Sequence, residues 1–394
     1  MTNRDYYCSM KFKFLKIDLP SKTIYNCHAA APHRIDFDWL EENPGNLFNT
    51  PVNVYEREQM LRNERNKSCE QNCWIAEDAG AVSPRINQNG IEQTHTDPVT
   101  DPEIIDLTIG IDCNLTCSYC CKEYSNSWRR DIINNGNYEL TNNTDVRFQG
   151  TVKDRVLLGI SQPQLKHTRH YQILLKEIER ASSKLKKLVI TGGEPLLDNQ
   201  LLSILETLKL KTDAKIELYT GLGMSELRFK NMISKLKNVK NLLIKVSAEN
   251  IQSHLEFNRY GIVWADFKKK IELMKESNIP FQFHCTLSNL SLFGFKEFYN
   301  YYKNEKIDVT FAYQPRMMAP YVLDDISKTT IKDAIELLPK EVKDPIIKSI
   351  KNTPTELEKL NIKEFLLEFT KRRQLTLEIF PKSFLEWLQL EKML

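Results

Sequence analysis

The stretch EIIDLTIGIDCNLTCSYC, residues 103–120, runs from a predicted β-strand directly into three closely spaced cysteines. Cys113, Cys117 and Cys120 follow a C-x3-C-x2-C pattern, and Cys121 comes next. Thiolates are soft ligands that bind zinc, copper(I) and iron–sulfur clusters. A closed zinc site takes four ligands, whereas three cysteines on one loop suit three irons of a [4Fe–4S] cube and leave the fourth iron open. Cys121 is a poor fourth ligand, because adjacent side chains point in different directions.

Downstream of this stretch, short apolar segments alternate with amphipathic ones. The pattern predicts strands at 103–112, 185–191, 215–220, 239–247, 281–288 and 308–315. It predicts helices between them at 168–183, 201–210, 225–236, 265–277 and 294–304. Strands joined by helical crossovers form a parallel sheet, and six such units predict an α/β fold of the partial (β/α)6 TIM-like type. Functional residues are then expected at the carboxyl ends of the strands.

The chain divides into three predicted parts. Residues 1–100 form an N-terminal module, in which CSMKFKFLKIDLPSKTIYNC predicts a β-hairpin with a cysteine at each outer end, followed by a helix near 55–64. Residues 101–320 form the partial barrel, with an insertion at 121–165. Residues 321–394 form a helical C-terminal extension.

Composition narrows the class of protein. The net charge of +3 on 394 residues favours neither a nucleic-acid binder nor a membrane-surface protein. No signal peptide or transmembrane helix is expected, so the protein is predicted to be cytoplasmic. Nine cysteines in a reducing compartment indicate metal binding or catalysis more than disulfides.

The cysteine loop and three further segments resemble the radical S-adenosylmethionine (SAM) superfamily. Tyr119 precedes the last loop cysteine, TGGEP ends the second strand, VSAEN ends the fourth, and an arginine follows in NRYG. The resemblance implies a [4Fe–4S] cluster on Cys113, Cys117 and Cys120, whose open iron binds SAM. It also implies cofactor contacts from Tyr119, Gly192, Gly193, Glu194, Pro195, Ser247, Glu249 and Arg259. Within that set, Glu194 would accept bonds from the SAM ammonium group, Ser247 and Glu249 would meet the ribose, and Arg259 would meet the carboxylate.

A second set of cysteines, Cys8, Cys27, Cys69 and Cys73, lies in the N-terminal module. With Arg57, Met60, Glu77, Ser83 and Arg85 it resembles the twitch/SPASM auxiliary-cluster subgroup, although in the best-known members that module follows the barrel. The resemblance implies a second [4Fe–4S] cluster on the four cysteines, and a structural zinc ion or free thiols are the alternatives.

The resemblance implies an enzyme that cleaves SAM reductively and abstracts a hydrogen atom with the 5′-deoxyadenosyl radical. A ribosomal peptide or protein is the favoured substrate, modified by oxidation, crosslinking or epimerisation. Radical dehydrogenation or epimerisation of a sugar or aminocyclitol is the alternative, and a non-catalytic iron–sulfur protein is a second one. The expected electron donor is a flavodoxin or ferredoxin, with no nucleic-acid or membrane partner. Cys285 and Cys121 are weak candidates for a hydrogen donor. His284 neighbours Cys285 in one strand, so only one of the two can face the barrel interior.

Overall fold

We analysed a computed structural model of the chain. It describes residues 5–78, 80, 83–87, 91–141, 146–150, 168–209 and 213–391. None of the helices in these ranges is both long enough and apolar enough to cross a membrane. Because residues 142–145 and 151–165 lie outside these ranges, the predicted insertion at 121–165 is described only in part.

The chain forms two compact units. The first comprises residues 1–110, 161–218 and 236–243, and the second comprises residues 111–160, 219–235 and 244–394. The strands are β1 (Phe14–Asp18), β2 (Thr23–Tyr25), β3 (His33–Arg34), β4 (Ile104–Thr108), β5 (Thr116–Cys117), β6 (Lys187–Thr191), β7 (Lys215–Thr220), β8 (Leu242–Ser247), β9 (Arg259–Tyr260), β10 (Phe281–Leu287) and β11 (Ile307–Phe311).

The sheet of the first unit has the strand order β7-β6-β4-β1-β2-β3. Strands β4, β6 and β7 are parallel, with Ile104 opposite Lys187 and Leu188 opposite Ile216. The predicted N-terminal hairpin is present as β1 and β2, which pair antiparallel. Strand β1 also pairs in parallel with β4, in a register that places Phe14 opposite Ile104. The hairpin therefore extends the edge of the parallel sheet within this unit.

The second unit contains the parallel strands β8, β10 and β11. Phe281 lies opposite Ile244, and Phe283 lies opposite Ile307. A separate antiparallel ribbon is formed by the two-residue strands β5 and β9, with Cys117 opposite Arg259. This β5–β9 ribbon was not predicted from the sequence, because two-residue strands leave no periodic pattern.

Helices follow the strands in both units. Their bounds are α1 (Met10–Lys13), α2 (Phe37–Glu42), α3 (Pro51–Leu61), α4 (Ile75–Asp78), α5 (Pro84–Asn87), α6 (Asn126–Asn135), α7 (Arg169–Ala181), α8 (Leu201–Lys209), α9 (Glu226–Leu236), α10 (Gln252–Asn258), α11 (Trp264–Glu276), α12 (Phe295–Tyr301), α13 (Asp325–Ala334), α14 (Lys340–Ser349), α15 (Glu356–Arg373) and α16 (Lys382–Trp387). The longest, α15, begins with a capping box in which Thr355 and Glu358 satisfy each other's backbone N–H groups.

The predicted α/β fold with a mostly parallel sheet and a helical C-terminal region is confirmed. Local bounds differ for physical reasons. Helix α3 begins at Pro51 rather than near residue 55, because Thr50 caps it and proline is favoured at the first helical position. The predicted first hairpin strand is shorter than expected, since helix α1 occupies Met10–Lys13. The three-part domain division stays a prediction.

Candidate functional site

The loop with Cys113, Cys117 and Cys120 is held by the first turn of helix α6. Ser127 Oγ donates to the carbonyl of Cys113 at 2.7 Å, and Trp128 Nε1 donates to the carbonyl of Cys117 at 3.0 Å. The α6 cap residue Ser125 donates to the carbonyl of Leu115 at 2.8 Å. Three carbonyl groups of the loop therefore accept hydrogen bonds from the start of the predicted insertion. None of these supporting residues was singled out from the sequence.

The thiols of the loop lie close enough together to affect the pKa of Cys120. Burial and the other three thiols, those of Cys121, Cys117 and Cys113, raise the pKa of Cys120, although this residue keeps some exposed surface. Cys113 is also half-buried, whereas Cys117 and Cys121 are buried. The structure thus brings the predicted cluster ligands together on one loop.

The β5–β9 ribbon brings Arg259 against this loop. Its guanidinium Nη1 lies 4.0 Å from Cys117 Sγ, and its charged group lies 5.5 Å from the ring centre of Tyr119. The chain turns directly after the ribbon at Gly261, which has φ +108°. A Cβ atom there would lie 3.0 Å from the carbonyl oxygen of Asn114, so the turn requires glycine.

Arg259 and Glu249 form a buried ion pair. Arg259 Nη2 lies 2.8 Å and Nε lies 3.1 Å from Glu249 Oε2, with the two residues 5% and 0% exposed. Burial raises the pKa of Glu249, while Arg259 acts to lower it. The sequence assigned the two residues separate contacts with SAM and did not anticipate that they pair with each other.

Two polar atoms beside this pair are buried without a hydrogen-bond partner. They are the hydroxyl of Tyr119 and Glu249 Oε1. Burial raises the pKa of both groups, and they lie near enough that Glu249 adds to the increase at Tyr119 while Tyr119 acts to lower the pKa of Glu249. Buried polar atoms in folded proteins are normally satisfied, so orphaned atoms beside three thiols are consistent with a polar ligand at this loop.

Asn258 and Asn250 connect the loop to the short 3₁₀-helix Ser291–Gly294 through a buried chain of hydrogen bonds. Ser118 donates through its backbone N–H to the Asn258 carbonyl at 2.8 Å and through Oγ to its Oδ1 at 3.0 Å. Asn258 then donates to Asn250 Oδ1 at 2.9 Å, and Asn250 donates to the carbonyl of Ser291 at 2.8 Å. Ser247, the predicted ribose contact, lies half-buried at the end of β8.

The GGEP segment follows β6 in the first unit. Gly193 N donates to the carbonyl of Gly110 at 3.0 Å, and a Cβ atom on Gly192 would lie 2.9 Å from that same oxygen. Glu194 is buried, and its Oε1 accepts from Leu196 N at 3.2 Å at the start of the short 3₁₀-helix Pro195–Leu197. The close approach of the Gly110 carbonyl therefore explains the glycine at position 192.

Cys285 lies on the side of β10 that packs against helix α12. Its thiol is completely buried and donates to the carbonyl of Ala248 at 2.9 Å. Phe283, two residues earlier on the same face, contacts the rings of Phe298 and Tyr302. His284 points to the opposite face, where it meets Tyr219 and Thr310. A hydrogen-donor role for Cys285 or Cys121 stays a prediction.

A family comparison decides how this site is classified. Residues 107–301 match the model of the radical SAM superfamily. This part of the chain is a radical SAM domain. The superfamily implies a [4Fe–4S] cluster and SAM, which fits the three converging thiols and the two orphaned polar atoms beside them.

Solved structures with a similar fold were also found. They include anSMEcpe with bound AdoMet, at 16% identity and a TM-score of 0.39, and Streptococcus suis SuiB bound to S-adenosylmethionine, at 12% identity and a TM-score of 0.33. The match covers 59% of this chain and 57% of the anSMEcpe chain, and 84% and 68% for SuiB. The chain therefore spans little more than half the length of anSMEcpe. No curated protein matches the sequence.

A second candidate site lies outside the radical SAM match, in the first unit. Cys8, Cys69 and Cys73 share a hydrophobic cluster with Met60 and Trp74, and Cys27 is buried as well. Burial raises the pKa of Cys8 to about 12 and that of Cys69 to about 11, and neighbouring thiols of the set add to both increases. The thiols of the set therefore lie near enough to Cys8 to raise its pKa, which their spacing along the chain could not show.

Lys11 is a fully buried cation that connects three of these cysteine segments. Its Nζ lies 2.5 Å from Glu56 Oε2 and from Ser68 Oγ, beside Cys69. Glu56 Oε2 also accepts from Asn26 Nδ2 at 2.5 Å, beside Cys27. Lys11 itself follows Cys8 and donates its backbone N–H to the Cys8 carbonyl at 3.2 Å. Its charge acts to lower the pKa of both Cys27 and Cys69.

Cys73 is supported by the residues of the predicted E…S-x-R pattern. Arg85 contacts Glu77 through Nη2 at 2.6 Å, and Ser83 Oγ donates to Glu77 Oε1 at 2.5 Å. Burial raises the pKa of the Cys73 thiol, while the Arg85 backbone N–H and the Ser83 hydroxyl act to lower it. Arg57, by contrast, contacts Phe48 and Asn49.

In both candidate sites the cysteine thiols are largely buried and raise one another's pKa. Across the described ranges, no group of three or more His, Cys, Asp or Glu side chains is arranged to hold a metal ion. The assignment of either an auxiliary cluster or zinc to the N-terminal set stays a prediction.

Proposed function

We propose that the protein is a radical SAM enzyme that modifies a peptide or protein side chain. When bound and reduced, the [4Fe–4S] cluster supplies the electron that splits SAM into methionine and a 5′-deoxyadenosyl radical, which abstracts a hydrogen atom from substrate. The observation that carries this proposal is the loop of three converging thiols beside the orphaned Tyr119 hydroxyl and Glu249 Oε1.

The residues of the chain would bind and orient the cofactors. Cys113, Cys117 and Cys120 would hold three irons, and the α6 contacts would keep their loop rigid. Glu249 Oε1 retains an acceptor for a ribose hydroxyl, because only Oε2 is used by Arg259. Arg259 already has a carboxylate partner, so it would meet SAM only by sharing its remaining N–H groups or by exchanging partners.

We further propose that Cys8, Cys27, Cys69 and Cys73 hold an auxiliary [4Fe–4S] cluster. The buried Lys11 supports an anionic group here, since a fixed cation offsets part of the charge that four thiolates bring into the core. A fully ligated cluster suits electron transfer, and this favours a net oxidation of the substrate. The preference for a peptide rests on the twitch/SPASM resemblance of the N-terminal segment.

The radical reaction is tested with anaerobically reconstituted protein, SAM and dithionite. We expect equimolar 5′-deoxyadenosine and methionine, and their loss when Cys113, Cys117 and Cys120 are all replaced by alanine. If the reconstituted wild-type protein forms neither product, the enzyme assignment is wrong and the non-catalytic iron–sulfur alternative stands.

The auxiliary cluster is tested by metal analysis. Two cubes require about eight irons per chain. Replacing the four N-terminal cysteines by alanine should leave about four, whereas unchanged iron, or zinc in the wild-type protein, would contradict the second cluster.

Incubation with candidate precursor peptides, followed by mass spectrometry for loss of two hydrogens or for a crosslink, tests the substrate class.

A further inference from the structure

Helix α15 ends with two buried arginines, Arg372 and Arg373. Their side chains are only 4% and 3% exposed. Arginine is seldom buried this fully unless its guanidinium group has specific partners. Both residues contact Asp131 and Tyr138, but only Arg373 also contacts the β5–β9 ribbon.

Arg373 contacts both strands of the β5–β9 ribbon. Its Nε donates to Thr116 Oγ1 at 3.1 Å, and Thr116 directly precedes the cluster ligand Cys117. Its guanidinium group also lies 5.3 Å from the ring centre of Tyr260. Thr116 and Tyr260 face each other across the ribbon, so one guanidinium group holds a cross-strand pair.

The same guanidinium group also supports the ring that holds the cysteine loop. It lies 5.1 Å from the ring centre of Trp128, whose indole donates to the Cys117 carbonyl. It lies 3.9 Å from the ring of Phe369 on its own helix, and its Nη1 donates to the Tyr138 hydroxyl at 2.9 Å. Cation–π contacts of this kind gain strength when they are desolvated.

Arg372 makes less buried contacts, none of which involves the ribbon. Its Nη1 lies 3.0 Å from Asp131 Oδ2, and its Nη2 donates to the Asn137 carbonyl at 2.9 Å. It also contacts Glu368 and lies over the ring of Tyr138. Arg372 therefore provides a reference for losing an arginine from this helix end, because its replacement disturbs the shared neighbours Asp131 and Tyr138 without removing a ribbon contact.

We propose that Arg373 is a positioning residue for SAM cleavage, which fixes the β5–β9 ribbon and with it the register of Cys117 opposite Arg259. The physical reason is that a ribbon of two-residue strands is too short to be stable by itself. A slip of one residue would turn Cys117 and Arg259 to opposite faces. The expected effect of Arg373 on SAM cleavage rests on the proposed radical SAM function.

The first test measures the stability of the β5–β9 ribbon in the absence of any cofactor. In iron-free protein, Arg373→Met and Thr116→Val should both accelerate amide hydrogen exchange at Ser118 and at neighbouring ribbon positions. Arg372→Met should not, even if it lowers thermal stability as much. The double variant Thr116→Val with Arg373→Met should exchange no faster than Arg373→Met alone. Equal acceleration by Arg372→Met would overturn the proposal, because the helix end would then act only through general packing.

The second test uses reconstituted full-length protein with intact iron content. Arg373→Met should weaken the change that SAM causes in the electron paramagnetic resonance spectrum of the reduced cluster. It should also lower kcat/KM for 5′-deoxyadenosine formation about tenfold, the loss expected for one charge-assisted hydrogen bond. Arg373→Lys, which can still donate to Thr116, should recover part of this loss, and Arg372→Met should match the wild type.

The results separate the two proposals. Wild-type spectra and rates in Arg373→Met would refute the positioning role. Absence of product from the wild-type protein would refute the proposed function, while the hydrogen-exchange comparison would still decide whether Arg373 holds the ribbon.

Discussion

The buried pair of Arg259 and Glu249 leads to a quantitative prediction for Arg259→Met. Removing one partner of a buried ion pair costs about 3–5 kcal/mol, because the other charge is left without compensation. In the variant, Glu249 keeps its burial and loses the cation that acts to lower its pKa. Its pKa in the folded state should therefore rise further above the unfolded value.

The sign of the pH dependence follows from this shift. A carboxyl group with a raised folded-state pKa destabilises the folded protein as pH rises through the unfolded value near about 4.3 and up to the folded value. We therefore expect Arg259→Met to be destabilised less at pH 5 than at pH 8. Adding Glu249→Met should remove this pH dependence and recover most of the stability.

Urea unfolding of the iron-free protein at pH 5, 6.5 and 8, followed by tryptophan fluorescence, measures the effect. Lys230→Met is the matched control, since the exposed pair of Lys230 and Glu226 should leave the unfolding midpoint unchanged. A cost for Arg259→Met below about 1 kcal/mol at pH 8, or one that does not vary with pH, would refute the reasoning.

Three further predictions concern the first unit. Lys11→Met should make the midpoint potential of the proposed auxiliary cluster more negative, because a buried cation stabilises the reduced form of the cluster. An unchanged potential in a redox titration would contradict this. The pKa of Glu56 is lowered to about 2, chiefly by His33 and Lys11 against the effect of burial. Glu56 therefore contributes about 3 kcal/mol above pH ~4.3, and this is lost as pH falls towards 2. The stability difference between the wild type and Glu56→Gln should accordingly shrink between pH 6 and pH 3 in urea unfolding. Gly192→Ala should lower the unfolding free energy by about 1–3 kcal/mol, because its Cβ would lie 2.9 Å from the Gly110 carbonyl oxygen and its φ is +155°. Gly136→Ala is the control for backbone strain alone, since a Cβ there has no atom within 4 Å.

The pairing of Glu249 with Arg259 changes how their proposed ligand roles should be tested. Loss of SAM binding in Arg259→Met would not by itself show a carboxylate contact, since the neighbouring Glu249 is disturbed too. Glu249→Gln offers the cleaner comparison, because it removes the charge and keeps an acceptor oxygen. If Arg259 meets the SAM carboxylate, this variant should bind SAM at least as tightly as the wild type in equilibrium dialysis, and weaker binding would indicate that the ionised Glu249 contacts SAM.

Much of the fold could be predicted from the sequence, because strand and helix periods are local. The parallel strands β4, β6, β7, β8, β10 and β11 were each expected within a few residues of their bounds, and so were the amphipathic helices α7, α8, α9, α11 and α12. Helices α6 and α10 were not predicted. The β5–β9 ribbon and the parallel pairing of β1 with β4 could not be predicted. Both join residues that are far apart in the chain, and neither leaves a periodic signal.

The sequence by itself determined which residue types could perform the chemistry: three loop cysteines, a glycine-rich segment, and four cysteines in the N-terminal module. The resemblance of the cysteine loop and the GGEP segment to the radical SAM superfamily predicted a radical SAM domain, which the family comparison bears out. Only the tertiary structure decided the partners of the charged residues. It paired Arg259 with Glu249, buried Lys11 among three cysteine segments, and set Arg373 against Thr116. The physical reason is that an ion pair depends on distance and desolvation, and the spacing of residues along a chain specifies neither.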